Sequence, residues 1–303
     1  MSLDLTKYYP FTGRRFDLDG LALHYLDEGS GEPVVMLHGN PSWSFYYRNL
    51  VTALAGRYRC IVPDHIGCGR SDKPGDDRYD YTLSRRVDDL ERLLDHLGIE
   101  RGITLVLHDW GGMIGMAYAV RHRSRIKRLV ILNTAAFHLP KEKRFPLALR
   151  FCRNTRLGAL LVTGLNAFSL AASFAGCKAN PMPRDIRRAY RLPYDNRRNR
   201  IATLRFVQDI PLAPGDRSYD LVSAVATGLA AFSKLPAAIF WGERDFVFDS
   251  SFLAEWERRF PLAEVHRYPG AGHYILEDMQ DEVIPLIGDF LARTDTKEHN
   301  DQP

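Results

Sequence analysis

The chain has 303 residues, of which 45% are hydrophobic and 26% are charged, and its formal net charge is +4. This composition predicts a globular protein with one large core and an inserted subdomain, and it excludes an intrinsically disordered chain. The N-terminal segment MSLDLTKYYPFTGRR lacks the basic and then apolar pattern of a signal peptide, and the four cysteines form no C-x-x-C pair. These features predict a cytoplasmic protein with reduced thiols and give no support to a metal site or another cofactor.

Charge is distributed unevenly along the chain. Residues 138–205 carry a net charge of +12, from 15 basic and 3 acidic residues, whereas the rest of the chain carries −8. We interpret this as a solvated, arginine-rich surface, and the alternative is a docking face for an acidic partner or for membrane headgroups. No known nucleic-acid-binding motif accompanies the charge, so nucleic acid is not an expected partner.

Short apolar segments alternate with helical patterns in the first 134 residues and again after residue 214. Near-continuous apolar runs predict buried strands of a parallel sheet that is covered on both faces. The predicted strands are PVVMLHG (33–39), RCIVPD (59–64), TLVLHD (104–109), KRLVILNT (127–134) and AAIFWGE (237–243). Between the second and third of them, YTLSRRVDDLERLLDHLGI (81–99) predicts an amphipathic helix. This alternation is typical of the α/β class.

The alternation stops after Asn133, and helical patterns broken by NPMPRD and IPLAPGD follow. We therefore predict a helical lid, residues 135–214, inserted into a core made of residues 1–134 and 215–293. The polar tail, residues 294–303, is predicted to be disordered.

One segment of the predicted lid is a candidate for a transmembrane helix. Residues 157–177 contain no charged residue and are long enough to cross a bilayer. However, glycine, serine, threonine and asparagine dilute their hydrophobicity. We therefore expect buried lid helices that line part of an apolar channel, and no transmembrane segment.

The segment LHDWGG (107–112) places Asp109 at the junction between a predicted strand and the next helix. This is the context of a nucleophile elbow, in which the turn exposes the nucleophile and the next main-chain N–H stabilises negative charge. Leu107 stands where the serine version of the elbow has its first glycine. The alternative is therefore an aspartate that only caps the helix.

Three other motifs favour the catalytic interpretation. HGNP (38–41) follows an earlier strand, where this fold places its other oxyanion donor, and GAGHY offers His273 as a base. WGERDFVFD offers Asp245 as the acid that orients the histidine, with Asp249 as a rival farther from the strand end. The order nucleophile, acid, histidine is that of the α/β-hydrolase fold, which has a mostly parallel sheet with helices on both faces and an inserted helical lid.

A carboxylate nucleophile restricts the reaction class. An aspartate is already ionised at neutral pH, because its ordinary pKa is ~3.9. Attack by a serine on an alkyl carbon would leave an ether, whereas attack by a carboxylate leaves an ester that water activated by His273 can hydrolyse. Asp109 therefore predicts attack on a saturated or strained electrophile rather than routine ester or peptide hydrolysis.

The motifs HGNPSW, HDWGG, PDHIGCGRSDKP and the pair GERD and GAGHY resemble the haloalkane dehalogenases, from about residue 14 to residue 291. The resemblance implies Asp109 as nucleophile and His273 as base. It also implies that the side chains of Asn40 and Trp110 donate hydrogen bonds to the leaving group.

The triad acid differs between branches of that family. In one branch it is a glutamate just after the strand that precedes the lid. Here the corresponding segment is LNTAAF, which has Asn133 and no acid. This favours Asp245 as the acid of the triad.

The sequence of the predicted lid indicates which relatives of the haloalkane dehalogenases the chain resembles most. NTAAFHLP, RRAYRLPYDNRRNRIATLRFVQDIPL and HYILED resemble the dehalogenase-like β-lactone decarboxylases of bacterial long-chain olefin biosynthesis. This implies a hydrophobic cis-3,4-dialkyl-oxetan-2-one as substrate, a cis-alkene and CO2 as products, and lactone or carboxylate oxygen held by Asn40 and Trp110. Asp109 would attack either the ring carbon that bears oxygen or the lactone carbonyl. We also hypothesise that the basic lid docks other enzymes of olefin biosynthesis.

Three alternative functions remain. A haloalkane dehalogenase shares these motifs, although some members use a lid tryptophan as a halide donor. All four tryptophans lie outside the predicted lid, at Trp43, Trp110, Trp241 and Trp256. An epoxide hydrolase usually has an aromatic residue in place of Asn40 and needs lid tyrosines, for which Tyr190 and Tyr194 have a suitable spacing. A ligand receptor or scaffold without turnover would not need the complete set of catalytic motifs.

Overall fold

The computed structural model describes residues 3–300, with side chains described to residue 295. Its strands are β1 (Arg14–Asp17), β2 (Ala22–Glu28), β3 (Glu32–Leu37), β4 (Tyr58–Pro63), β5 (Ile103–Asp109), β6 (Ile126–Thr134), β7 (Ala237–Gly242) and β8 (Glu264–Tyr268). They form one sheet in the order β1-β2-β4-β3-β5-β6-β7-β8. Strands β3 to β8 are parallel to one another, and β2 pairs antiparallel with both of its neighbours. The predicted α/β class and mostly parallel sheet are confirmed.

Helices connect and cover these strands. They are α1 (Arg48–Leu54), α2 (Leu83–His96), α3 (Trp110–Arg121), α4 (Leu147–Asn154), α5 (Arg156–Leu165), α6 (Ala167–Ala175), α7 (Arg184–Arg191), α8 (Ile201–Gln208), α9 (Tyr219–Gly228), α10 (Ser250–Arg259), α11 (Ile275–Asp278) and α12 (Gln280–Asn300). Helices α4 to α8 fall within the segment predicted as a lid, whereas α9 packs against α3 beside the sheet.

Side chains alternate along the central strands, and each set enters a different core. In β3, Val35 and Leu37 join the cluster that contains α2, α3, α9 and α10. Val34 and Met36 join the opposite cluster, which contains α1, α11 and α12. Both faces of the sheet are therefore covered, which explains why these strands are apolar at every position rather than at every second position.

The predicted helix over residues 81–99 corresponds to α2. Thr82 precedes its first turn, and the Thr82 hydroxyl accepts a hydrogen bond from the main-chain N–H of Arg85 at 3.3 Å. Gly98 follows its end with a φ of +66°, a conformation that favours glycine. The apolar face of α2 is buried and contains Leu83, Val87, Leu90 and Leu94.

The apolar patterns do not predict β1, β2 and β8. Strands β1 and β8 are the two edges of the sheet, where one side of the strand lacks a partner strand. Their sequences, RRFD and EVHRY, are polar and partly exposed. Edge strands commonly carry such charges, which discourage pairing with other chains, so they lack the continuous apolar signal of a central strand.

The C-terminal helix extends into the segment 294–303, for which composition predicts disorder. Helix α12 continues through Asn300, and the hydroxyl of Thr294 accepts a hydrogen bond from the Arg128 guanidinium at 2.7 Å. The carboxylate of Asp295 accepts one from the Tyr58 hydroxyl at 2.5 Å. Residues 301–303 lie outside the part of the chain that the structure describes.

Within the described range, no single helix is both long and apolar enough to cross a bilayer. Helices α5 and α6 together meet the length and composition test, but they are bent by 71° relative to each other.

Candidate active site

Asp109 lies at a sharp turn between β5 and α3. Its main chain has a φ of +51°, which residues other than glycine rarely adopt. The turn is packed so closely that a Cβ atom on Gly39 would meet the Asp109 carboxylate, and one on Gly111 would meet the carbonyl of Leu37. The hydroxyl of Thr134 donates to the Asp109 carbonyl. These contacts present the carboxylate at the carboxyl end of the sheet.

Two main-chain N–H groups stabilise the Asp109 carboxylate. The N–H of Asn40 donates to Oδ1 at 2.7 Å, and the N–H of Trp110 also stabilises the charged form. Burial nevertheless raises the pKa of Asp109, because it outweighs the lowering by His273 and by these two N–H groups. The carboxylate is thus removed from water and held by fixed dipoles, which suits a nucleophile.

His273 lies between two carboxylates. Its Nε2 is 3.7 Å from Oδ2 of Asp109, and its Nδ1 is 2.7 Å from Oδ2 of Asp245. Burial alone would lower the pKa of His273, but the negative charges of Asp245 and Asp109 raise it above its usual value. The structure therefore brings together the nucleophile, base and acid that the motifs predict, and the two carboxylates favour the protonated form of the His273 imidazole.

Asn133 holds Asp245 in place, a role that the sequence does not indicate. Its Nδ2 donates to Oδ2 of Asp245 at 3.1 Å and to the carbonyl of Gly242 at 3.0 Å. Its Oδ1 accepts from the N–H of Gly242 at 2.8 Å, and the N–H of Val247 donates to the other Asp245 oxygen at 2.8 Å. The available signal was a polar residue at the end of an otherwise apolar strand.

Asp278 joins the histidine loop to the lid. Its carboxylate accepts the N–H of Gly272, next to His273, at 2.7 Å. It also accepts three successive N–H groups of residues 178–180, at 2.6, 2.9 and 2.6 Å. Asp278 appears in the sequence as the last residue of HYILED, without any sign of these partners.

Other polar residues near the site also have defined roles. Nε2 of His108 is 2.9 Å from the carbonyl of His273, and burial lowers the pKa of His108, which favours the neutral form of its ring. The rival acid Asp249 pairs with Lys143 at 2.6 Å and caps α10. Among residues 3–295, no group of three or more His, Cys, Asp or Glu side chains is arranged to hold a metal ion.

A cavity of about 1020 Å³, including its open mouth, lies above Asp109 and His273. Asn40 and Trp110 line it beside them. Nδ2 of Asn40 donates to the carbonyl of Thr203 in α8 at 3.0 Å. An amide nitrogen carries two N–H bonds, so the second one is available to a bound ligand. We call Asp109, His273, Asn40 and Trp110, together with Asp245 behind His273, the cavity floor.

Trp110 differs from the other tryptophans in its surroundings. The indole N–H groups of three tryptophans donate to main-chain carbonyls, namely those of Trp43, Trp241 and Trp256. Trp110 instead lines the cavity, and its ring centre is 5.3 Å from that of Phe206 in α8. A ligand oxygen or halide in the cavity would therefore meet Trp110 rather than another tryptophan.

The upper wall of the cavity is apolar. Side chains that form it include Phe137, Leu149, Phe168, Ala172, Val207 and Phe248. Of the uncharged segment 157–177, α6 contributes Phe168 and Ala172, together with the adjacent Gly176. Helix α5 does not line the cavity and instead exposes Leu157, Leu160 and Leu165. The expectation that this segment forms part of an apolar channel thus applies to α6 and not to α5.

The lid tyrosines do not reach the cavity. The hydroxyl of Tyr190 donates to Glu277 at 2.6 Å, and that of Tyr194 donates to the carbonyl of Ser42 at 3.1 Å. No tyrosine is among the described residues that line the cavity. The groups that would protonate an opening epoxide are therefore directed elsewhere.

Comparison with known proteins agrees with this geometry. The chain matches the family model of the alpha/beta hydrolase fold over residues 32–279. It is 61% identical to the cis-3-alkyl-4-alkyloxetan-2-one decarboxylase of Shewanella oneidensis, over 96% of this chain and 92% of that one. It is 54% identical to the protein of the same name from Xanthomonas campestris, over 94% of this chain and 97% of that one.

A more distant relative has a solved structure. The crystal structure of the haloalkane dehalogenase DbeA from Bradyrhizobium elkani has a TM-score of 0.82 and 26% identity, and it covers 95% of this chain and 99% of that one. The fold and the site thus define an α/β hydrolase with an aspartate at the elbow. The chain belongs to the alpha/beta hydrolase family and, within it, to the family of the two cis-3-alkyl-4-alkyloxetan-2-one decarboxylases.

Proposed function

We propose that this enzyme converts cis-3-alkyl-4-alkyloxetan-2-ones into cis-alkenes and CO2. The observation that carries the proposal is the identity of 61% and 54%, over nearly the whole chain, to two proteins named for this activity. The apolar cavity above Asp109 supports it, because a substrate with two alkyl chains needs a large apolar site.

In the proposed reaction, Asp109 attacks C4, the ring carbon that bears oxygen. The C4–O bond breaks, its electron pair stays on the freed carboxylate, and an ester joins C4 to Asp109. The bond from C3 to that carboxylate then breaks, its electron pair forms the C3=C4 double bond, and Asp109 leaves as CO2 is released. Inversion at C4 followed by anti elimination gives a cis-alkene from a cis-lactone.

The second route starts at the same carboxylate. Attack of Asp109 on the lactone carbonyl would give a mixed anhydride and an alkoxide on C4. The C4 alkoxide would then attack the Asp109 acyl carbon, which breaks the anhydride, frees the substrate carboxylate and gives the same ester between C4 and Asp109. Loss of CO2 with departure of Asp109 completes the reaction as in the first route. Both routes regenerate Asp109 without consuming water, which distinguishes them from the hydrolysis of an alkyl ester.

We assign the remaining polar groups of the cavity floor to charge stabilisation. Asn40 and Trp110 would bind the oxygens of the lactone and of the freed carboxylate. His273, held by Asp245, would supply positive charge beside Asp109 both when it attacks and when it leaves. This role agrees with the raised pKa of His273 and does not require the imidazole to activate water.

A haloalkane dehalogenase is the second candidate, and the DbeA structure with its TM-score of 0.82 favours it.

One experiment distinguishes the two candidate functions. Purified protein is mixed with a synthetic cis-lactone, and headspace CO2 and extracted alkene are measured. Halide release from a 1-haloalkane is measured in parallel. We expect cis-alkene and CO2 in equal amounts with little halide. Halide without alkene would replace the proposal with the second candidate.

We further propose that residues 135–214 act as a lid on a core formed by residues 1–134 and 215–293. The cavity supports this division, because residues of both parts line it. A cytoplasmic location and assembly with other enzymes of olefin biosynthesis remain predictions.

A further inference from the structure

The outer surface of the lid carries large apolar side chains. Leu147 is 78% exposed, Leu165 is 65% exposed and Phe174 is 60% exposed. They lie on α4, α5 and α6, and each of these helices packs against the next one. We call the whole set the apolar lid face: Leu147, Phe151, Leu157, Leu160, Leu165 and Phe174.

Several arginines border this face. Arg156, Arg197 and Arg198 line an open groove together with Leu160 of the apolar lid face. Within the described part of the chain, no carboxylate forms an ion pair with these three arginines. Phosphate groups would be suitable partners for such guanidinium groups.

The positive charge continues along α7. The guanidinium of Arg187 lies 4.4 Å from the centre of the Phe174 ring, so this charge touches the apolar lid face directly. Burial and the positive charges of Arg187 and Arg188 together lower the pKa of Arg191. Positive charge is thus concentrated on α7, where, among the described residues, only Arg188 is seen to pair with a carboxylate, that of Asp185 at 3.8 Å, and a surface of negative charge would stabilise it.

We propose that the apolar lid face docks onto a lipid bilayer that contains anionic headgroups. Apolar side chains surrounded by basic ones form the pattern of an interfacial segment, in which leucine and phenylalanine enter the acyl boundary and arginine binds phosphate. The charge distribution sets the orientation, because residues 138–205 carry +12 and the rest of the chain carries −8. The acidic part of the molecule is therefore directed away from the lipid.

This docking would connect the bilayer with the cavity. Phe145 and Pro146 line the cavity, and Leu147, the next residue, is the first residue of the apolar lid face. A dialkyl substrate dissolved in lipid could therefore enter the cavity along α4 without crossing water. This consequence depends on the proposed function, whereas the docking itself does not.

Sedimentation with vesicles tests the docking without any substrate. One set of vesicles is phosphatidylcholine alone, and the other is phosphatidylcholine and phosphatidylglycerol in equal parts. We expect the protein to sediment with the second set and to be released by salt, because exposed charges are screened. The double variants Leu157→Gln/Leu165→Gln and Arg197→Glu/Arg198→Glu should each lower the partition coefficient by about tenfold or more.

Matched controls change similar side chains elsewhere. Leu262 is 73% exposed and Arg101 is also exposed, and both lie outside the lid. Leu262→Gln and Arg101→Glu should therefore bind vesicles like the unchanged protein, and melting curves should show that every variant is folded.

Three results would overturn the docking proposal. They are wild-type protein that stays in the supernatant with both vesicle types, lid variants that bind like wild type, and salt-sensitive capture of an acidic protein in the absence of vesicle binding. If vesicle binding fails while alkene is still formed from dissolved lactone, the proposed function stands and only the docking is lost.

Discussion

The cavity floor is a network of polar side chains, whereas the lid above it presents an apolar surface. On the floor, Asp109, His273 and Asp245 are connected by contacts of 2.7 to 3.7 Å, and further polar groups hold them in place. The lid contributes apolar surface such as Phe168 and Ala172. We therefore expect the floor to determine the reaction class and the lid to determine which substrates reach it. Relatives of this fold can accordingly share a nucleophile and still differ in substrate.

Two sets of hydrogen bonds connect the lid to the residues of the floor and to the loop that carries His273. Asn40 of the floor donates to the carbonyl of Thr203 in α8, and Asp278 binds both the histidine loop and residues 178–180 of the lid. Movement of the lid would therefore move the Asn40 amide and the loop that carries His273. Variants of the floor should change the turnover rate, whereas variants of the lid should change which substrates are accepted.

The largest effect is expected at the nucleophile. Asp109→Ala should lower turnover of the lactone by about 10⁴-fold or more, because no other group can form the covalent intermediate. Asp249→Ala is the matched control, since Asp249 is a nearby carboxylate that binds Lys143 instead of His273. Alkene yield from the two purified variants is the measurement. Wild-type activity in Asp109→Ala would show that the floor is not the reaction site.

The next largest effect is expected at the acid. Asp245→Asn removes the charge that most strongly raises the pKa of His273, so that pKa should fall and turnover should drop by about 10²–10⁴-fold. Because cationic His273 is the active form in the proposed reaction, the alkaline limb of the pH–rate profile should move to lower pH. If neutral His273 were the active form, the acid limb would move instead, as a water-activating base requires.

The same charge affects stability. The pKa of His273 is higher in the folded state than its ordinary value of ~6.5, so its stabilising contribution is complete below that pH and is lost as pH rises through the folded value. In Asp245→Asn this loss should occur at lower pH. Urea unfolding at a series of pH values would measure it, and parallel stability curves for wild type and variant would contradict this assignment.

A smaller effect should appear on the lid side. Ala172→Leu adds bulk to the cavity wall, so the ratio of kcat/KM for short-chain over long-chain lactones should rise by about tenfold. Ala171→Leu is the matched control, because Ala171 is the preceding residue of α6 and is exposed. Equal selectivity in the two variants would mean that α6 does not contact the alkyl chains.

The smallest effect is expected at the lid tyrosines. Tyr190→Phe and Tyr194→Phe should each change turnover by less than about threefold, because both hydroxyls bind protein groups outside the cavity. Each variant should lose about 0.5–1.5 kcal/mol of unfolding free energy for one buried hydrogen bond. Loss of turnover without loss of stability would indicate that the tyrosine donates a proton to the substrate, as in an epoxide hydrolase.

The sequence predicts the central sheet because burial on both faces leaves a continuous apolar run in each strand. It also predicts that Asp109, His273 and Asp245 come together, because the order nucleophile, acid, histidine of the three motifs is that of the α/β-hydrolase fold. Strands β1, β2 and β8 lack a continuous apolar run, so the apolar pattern does not reveal them.

The supporting residues could not be predicted, because their partners are distant in sequence. Asn133 and Asp245 are separated by 112 positions, and Asp278 binds residues about 100 positions earlier. The uncharged segment 157–177 likewise has no polar stripe to show which side of α5 or α6 faces inward. Only the packed structure shows that α6 lines the cavity while α5 faces outward.

The most direct test of the central claim is the mass of the Asp109 peptide after rapid quenching of wild-type protein with the lactone. Ring opening by Asp109, at C4 or at the carbonyl, predicts a peptide that is heavier by the mass of the intact lactone. The added mass should appear before alkene and should disappear as alkene accumulates. Alkene formation at the full rate with an unmodified peptide at every quench time, and with activity retained in Asp109→Ala, would contradict the account.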